Sequence, residues 1–340
     1  VPKKDERGKL ERAKNTRKEK GTGKPDERGE HAPGPGADGG QSVRELLRLP
    51  VGERVDLSAY DTTGVSRTPL TPDSSAPDSS APGHPAAGWI PSTKAAGLAA
   101  TKALAPRLAG LQERLFAAST TGDRRRILLV LQGMDTSGKG GTVKHVAGLL
   151  DPNGCRTHAF KAPTDEESAR PFLWRVARVL PRPGEIGVFD RSHYEDVLVA
   201  RVRALATPPV IENRYGQIAR FEQALDDEGV TLVKVFLHLS YEEQRARLLE
   251  RLDNPDKHWK FSPGDIEDRA LWPAFQEAYE IALKRCATDR TPWYLVPADR
   301  KWYRNWAISS LLLEHLEELD PQYPRADFDV AECRRRLLTS

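Results

Sequence analysis

Ten consecutive residues carry the clearest chemistry in this chain: Gly133-Met134-Asp135-Thr136-Ser137-Gly138-Lys139-Gly140-Gly141-Thr142. They fit the pattern G-x-x-x-x-G-K, and the spacing serves phosphate binding. Glycines let backbone N–H groups turn inward around phosphate oxygens, a following helix adds positive potential, and the lysine supplies a point charge. Gly133, Ser137, Gly138, Gly140, Gly141, Thr142 and Lys144 are the expected phosphate contacts, with Lys139 as the central cation. The plain alternative is a glycine-rich turn with a solvated lysine. Gly140 stands where a Ser or Thr normally ligates magnesium, so Asp135 inside the loop and Asp190 further on are the substitute ligands, carboxylate and phosphate oxygens being what magnesium prefers.

A second cluster, Val188-Phe189-Asp190-Arg191-Ser192, is an apolar run ending in a carboxylate, the place of the Walker B acid in P-loop enzymes. Arg191 is suited to bracing a phosphoryl group through a bidentate contact, although an Asp-Arg ion pair at a strand end is the alternative. A third cluster holds Arg245, Arg247, Arg251, Lys257, Lys260 and Arg269, threaded with His258 and Trp259. Arg247 and Arg251 are spaced i, i+4 and share a helix face. The cluster reads as a mobile lid over about 241–270, against a solvated charged helix neutralised by Glu242, Glu243 and Glu250. His145, His193, His238 and His258 lack metal spacing and read as packing or surface, as do Trp259, Trp302, Tyr303 and Trp306.

The elements that must position these groups alternate. Strands are expected at Arg126–Gln132, Arg156–Lys161, Glu185–Asp190, Thr231–Leu239 and Trp293–Val296. Helices are expected over Ser92–Thr120, from the loop to Leu150, over Asp165–Leu180, from about His193, from Tyr241, and over Lys301–Leu319. Continuous apolar strands separated by helices predict an α/β protein, a five-stranded parallel sheet covered on both faces, with ligands at the carboxyl ends of the strands.

Composition divides the 340 residues. Residues 1–88 hold 12 Gly and 10 Pro with Tyr60 as their one aromatic, too little apolar surface to offset ordering entropy. A disordered charged tail is expected over 1–42, an extended strap and Pro/Ser-rich linker over 43–88, the folded domain over 89–324 and a short extension over 325–340. The overall charge of +3 hides a tail at +4 over residues 1–30, so the remainder is slightly acidic. Net charge therefore gives no argument for nucleic acid or membrane as partner. No run approaches the roughly 20 apolar residues of a membrane span. Cys155, Cys286 and Cys333 have no metal or redox spacing and read as free thiols of a cytoplasmic protein.

Together these blocks resemble the polyphosphate kinase 2 family. The resemblance is carried by GMDTSGKGGT at 133–142, KAPTDEE at 161–167, FDRSHYEDVLVARV at 189–202, NRYGQIARFE at 213–222, RLLERLDNPDKHWKFSPGD at 247–265 and PWYLVPADRKWYRNWA at 292–307. It implies a P-loop kinase fold with a helical lid, inorganic polyphosphate as phosphoryl donor, a nucleoside mono- or diphosphate as acceptor with AMP and ADP favoured, and Mg2+ as cofactor. It places Asp135, Lys139, Asp190 and Arg191 at the reaction centre and Arg247, Arg251, Lys257 and Lys260 on polyphosphate. Arg191, Glu195 and Arg201 are the expected nucleotide contacts, and a homodimer or homotetramer is the expected assembly. Many members of the AMP/ADP-accepting branch carry Asp where this chain has Gly140. The competing readings are an NTP-dependent nucleotide kinase of thymidylate-kinase type and a polyanion-binding protein without turnover.

Overall fold

The computed structural model describes residues 42–64 and 90–340, all within one unit spanning 39–340. The expected tail 1–42, apart from Ser42, and the Pro/Ser-rich linker lie outside the described residues. In chain order the helices are α1 (Val43–Leu47), α2 (Lys94–Ser119), α3 (Lys139–His145), α4 (Asp165–Ser168), α5 (Trp174–Ala177), α6 (Val199–Val202), α7 (Pro208–Asp227), α8 (Tyr241–Asp253), α9 (Gly264–Ala270), α10 (Trp272–Arg285), α11 (Lys301–Leu319) and α12 (Val330–Thr339). The strands are β1 (Arg126–Gln132), β2 (Cys155–Ala159), β3 (Ile186–Asp190), β4 (Val230–His238) and β5 (Trp293–Pro297).

All four strand pairings are parallel, in the order β2-β3-β1-β4-β5. The chain order of β1 beside both β3 and β4 makes the carboxyl end of β1 a topological switch point, where open α/β sheets bind ligands. β1 is buried on both faces, which is why RILLVLQ reads as an uninterrupted apolar run. Its side chains alternate between two cores. Ile127, Leu129 and Leu131 join the cluster under α2 and α11, whereas Leu128 and Val130 join the cluster under α7 and α10. Each such side chain stabilises the fold by about 1.5–3 kcal/mol, and together they fix the strand whose end carries the phosphate loop.

Residues 42–64 cover the β5 edge. Ser42 and Glu45 close a capping box, and the backbone N–H groups of Val43 and Arg44 donate to the Glu314 carboxylate, each at 2.9 Å. Arg48 bridges antiparallel to Tyr294, and Leu49 N donates to Trp293 O at 2.9 Å, so the edge has no open hydrogen-bonding row there.

Three local expectations change. The helix expected over Asp165–Leu180 is two single turns, α4 and α5, because Pro171 lacks a donor and disfavours helix in the residue before it. The helix expected from His193 is a 3-10 turn at His193–Asp196 followed by α6; the long helix is α7, starting with two prolines at its first turn. β2 is an edge strand with Arg156, Thr157 and Ala159 exposed, not a buried one.

Candidate active site

The loop leaves β1 at Gly133 (φ 152°), passes Thr136 in the left-handed region (φ 65°) and enters α3 through Gly138 (φ 102°). Four side chains from three helices, α3, α8 and α11, occupy its carbonyls. Lys139 Nζ donates to Gly133 O at 2.7 Å and Met134 O at 3.2 Å. Gln244 Nε2 donates to Asp135 O at 3.2 Å, Arg247 Nη1 to Thr136 O at 2.8 Å, and Arg304 Nη1 to Ser137 O at 3.3 Å. Five successive carbonyls, Gly133 to Ser137, are thereby held by side-chain donors. The first N–H groups of α3 have no intrahelical acceptor and are left for a ligand. Burial, then the like charge of Arg191, pulls the Lys139 pKa below the ordinary lysine value, while Asp190, Asp135 and Glu195 oppose that pull.

Two carboxylates flank the loop. Asp190 ends β3, and a β-carbon on Gly140 would lie 3.7 Å from its Oδ2, so this acid faces the position from which the usual hydroxyl is missing. Asp135 is held by Arg251, Nη1 to Oδ2 at 3.0 Å. Among the described residues no three His, Cys, Asp or Glu converge for a metal. Magnesium in phosphoryl-transfer sites takes one or two carboxylates plus phosphate oxygens and water, a share that Asp135 and Asp190 could supply, and the side-chain-free Gly140 leaves room beside Asp190.

After Asp190 the backbone turns sharply. Arg191 has φ 67°, a left-handed conformation uncommon outside glycine, and its N–H donates to Leu131 O at 3.1 Å. The turn is anchored from behind by a buried network: Glu222 binds Lys234 Nζ at 2.6 Å, Tyr194 Oη at 2.7 Å and His193 Nε2 at 3.1 Å. His193 is thus a packing residue of this anchor. Arg191 lies 3.7 Å from Glu195; burial works against its charge, but Glu195, Tyr279, Asp135 and Asp190 hold its pKa up. Glu195 is raised, burial outweighing Arg191 and Lys139.

Beside Arg191 opens a cleft of about 460 Å³ lined by Phe160, Lys161, Phe172, Arg175, Glu195 and Arg214 among others. Arg214 lies over the Phe172 ring at 5.3 Å and donates to Asp196 O at 2.8 Å. Arg175 lies over the Phe160 ring at 5.4 Å and donates to Lys161 O at 2.9 Å. Paired arginines with aromatic faces suit a phosphorylated ligand with a planar ring. Asp196, between the two arginines, is raised by burial in spite of them.

Several of the expected contacts have protein partners of their own in this structure. Arg201, expected on the nucleotide, turns away to Glu212 and Glu277, each at 3.6 Å, because the single turn of α6 gives Val199 and Ala200 to the cleft and Arg201 to the other side. Arg247, expected on polyphosphate, is 6% exposed, with its donors on Glu243, Thr136 O, Ala298 O and Asp299 O. Arg247 and Arg251 do share a face, but that face packs on the loop. Lys257 is paired with Glu250 and Lys260 lies 4.9 Å over the Trp259 ring, both in the 3-10 segment Pro255–Lys260. Lys144 is exposed in the last turn of α3. Tyr303 and Trp306 are core residues, packed edge to face at 5.4 Å.

Arg175, Arg214, Gln244 and Arg304 were not singled out by sequence. Each has a partner 14 to 167 positions away along the chain. KAPTDEE and NRYGQIARFE, the blocks that end near Arg175 and contain Arg214, were the available signal.

Residues 92–324 match the family model described as Polyphosphate kinase 2. The chain is 50% identical over 234 residues to the AMP/ADP-polyphosphate phosphotransferase of Meiothermus ruber, covering 69% of this chain and 86% of that one. It is 40% identical over 248 residues to the ADP-polyphosphate phosphotransferase of Rhodopseudomonas palustris, covering 68% and 82% respectively. Among solved structures, the polyphosphate kinase 2 of Arthrobacter aurescens TC1 superposes with a TM-score of 0.79 at 44% identity, covering 88% of this chain and 98% of that one.

Proposed function

Since the chain belongs to the polyphosphate kinase 2 family, we propose that it transfers a phosphoryl group between inorganic polyphosphate and a nucleoside mono- or diphosphate, AMP and ADP being the acceptors. The observation that carries this reading is the junction of two anion sites. A loop whose carbonyls are all turned to protein donors lies against Asp190 and Arg191, and Arg191 also lines the arginine-rich cleft.

An acceptor phosphate is ionised near neutral pH, so no strong general base is required, and the work is positioning and charge neutralisation. Loop amides and Lys139 receive the polyphosphate end, and Arg175, Arg191 and Arg214 orient the acceptor phosphate. An acceptor oxygen forms the new P–O bond while the bridging P–O bond of polyphosphate breaks, its electron pair leaving on the shortened chain. Asp135 and Asp190 would hold magnesium, which supplies neutralising charge on the phosphate oxygens. Glu195 keeps Arg191 aimed, and Arg251 does the same for Asp135. Lys257 and Lys260, on the surface of the lid segment, extend the positive track for the rest of the chain and help close the site to water.

This reading includes a cytoplasmic location and a homodimer or homotetramer, the latter tested by sedimentation velocity. Among the described residues no helix is long and apolar enough to cross a membrane. The deciding assay supplies purified protein with long-chain polyphosphate and AMP or ADP, in parallel with ATP and the same acceptors. Polyphosphate-dependent nucleotide formation is the expected outcome. Strict ATP dependence would instead identify a nucleotide kinase of thymidylate-kinase type, and tight polyphosphate binding without magnesium-dependent turnover would identify a polyanion-binding protein.

A further inference from the structure

Three buried cations wrap the phosphate loop, and they differ in what neutralises them. Lys139 has Asp190, Asp135 and Glu195 nearby, and Arg247 is paired with Glu243 at 2.8 Å. Arg304, in the first turn of α11, is 2% exposed and has no such acid among the described residues. Its guanidinium donates to the side-chain oxygen of Asn305, from Nη2 at 2.8 Å and Nε at 3.2 Å, and to Ser137 O at 3.3 Å, all neutral acceptors. Burial and the like charge of Arg247 bring its pKa down to about 10, and among the described residues no carboxylate opposes them.

The same guanidinium lies close against the loop backbone. A β-carbon on Gly138 would come 1.6 Å from Arg304 Nη1, and one on Gly141 would come 2.9 Å from Nη2. A side chain at Gly138 would therefore displace the guanidinium, and one at Gly141 would press on it, whether or not a ligand is bound. A buried cation without an anion is costly to fold, and its retention calls for a compensating charge.

We propose that Arg304 is a positioning residue of the phosphate loop, holding Ser137 and Gly138 in place, and that its missing counter-charge is the phosphate that binds on the opposite face of the loop. The inference rests on the reading that this loop receives polyphosphate. It makes anion binding and loop order mutually dependent: the ligand relieves the cation, and the cation raises affinity without touching the ligand.

The test uses full-length R304M and R304K, with thermal unfolding followed with and without tripolyphosphate at low and high salt, and steady-state kinetics alongside. R304M is expected to melt at or above the wild-type temperature without anion, since an unpaired buried charge has gone. It should bind tripolyphosphate on the order of 30-fold more weakly, the scale for losing one member of a buried charge pair. KM for polyphosphate should rise by a similar factor, with KM for AMP within about twofold. R304K, which keeps the charge, should recover most of the lost affinity. An R304M protein that melts lower but binds tripolyphosphate normally would overturn the inference, leaving Arg304 a packing residue. Should R304M not fold, R304K decides: anion affinity as weak as that of salt-quenched wild type would overturn the counter-charge. Failure of wild type to bind tripolyphosphate would overturn both this inference and the functional reading.

Discussion

Gly138 and Gly140 stand two residues apart in one loop, and the structure assigns them opposite tolerance to a methyl group. At Gly138 the backbone is left-handed, φ 102°, where a β-carbon costs about 1–2 kcal/mol. The added carbon would also sit 1.6 Å from Arg304 Nη1, so the guanidinium must leave Ser137 O. Losing a hydrogen bond from a buried charged group costs roughly 1.5–3 kcal/mol. G138A should therefore lose about 2.5–5 kcal/mol, which for a domain of this size lowers Tm by roughly 5–20 °C. Displacement of the loop by the order of 1 Å should also cut polyphosphate-dependent turnover about a hundredfold. Gly140 lies inside α3 without positive φ, and its β-carbon would make an ordinary 3.7 Å contact with Asp190 Oδ2. G140A should be neutral or gain up to about 1 kcal/mol from helix propensity. Differential scanning fluorimetry and a coupled luminescence assay of ATP formed from ADP and polyphosphate read both effects. Wild-type melting of G138A, or equal damage from G140A, would refute this account of the loop.

Arg214→Met should raise KM for AMP tenfold or more, the scale of one lost charged hydrogen bond at about 1.5–3 kcal/mol, and leave KM for polyphosphate unchanged; parallel steady-state titrations check it. Converting Lys257 and Lys260 to Glu should do the reverse, raising KM for polyphosphate about tenfold and flattening its salt dependence, as removal of an exposed steering charge does; equal effects on both substrates would count against the lid role. His315 is buried, and burial followed by the charge of Arg44 lowers its pKa from 6.5 to about 3. The unfolded chain takes up that proton first, so its contribution is fully present above about pH 6.5 and is lost as pH falls toward 3, at roughly 1.4 kcal/mol per pH unit. His238, also lowered by burial, adds in the same direction. Tm should fall between pH 7 and pH 5, and His315→Leu should flatten that slope; an unchanged slope would remove His315 as its source.

Much of the candidate site is legible in order along the chain. The loop 133–142, the acid at Asp190 and all five strands are written locally: alternation of buried runs with helices follows from period and composition, and a phosphate loop needs its glycines and lysine at fixed neighbouring positions. The resemblance to polyphosphate kinase 2 rested on the same local blocks. Helix breaks at Pro171 and between His193 and Pro208 were missed, since periodicity there ran on past residues that interrupt it.

What only the tertiary structure decided was where each charged side chain points and what already occupies it. Arg201 and Arg247 have the right type and neighbourhood to grip phosphate, yet one faces Glu212 and Glu277 and the other is enclosed by three backbone carbonyls. Arg214 and Arg304 come from α7 and α11 into the cleft lining and against the loop. The reason is physical: backbone preference acts over a few residues and can be read from them, whereas the direction of a long flexible cation is set by acceptors that folding brings from distant segments.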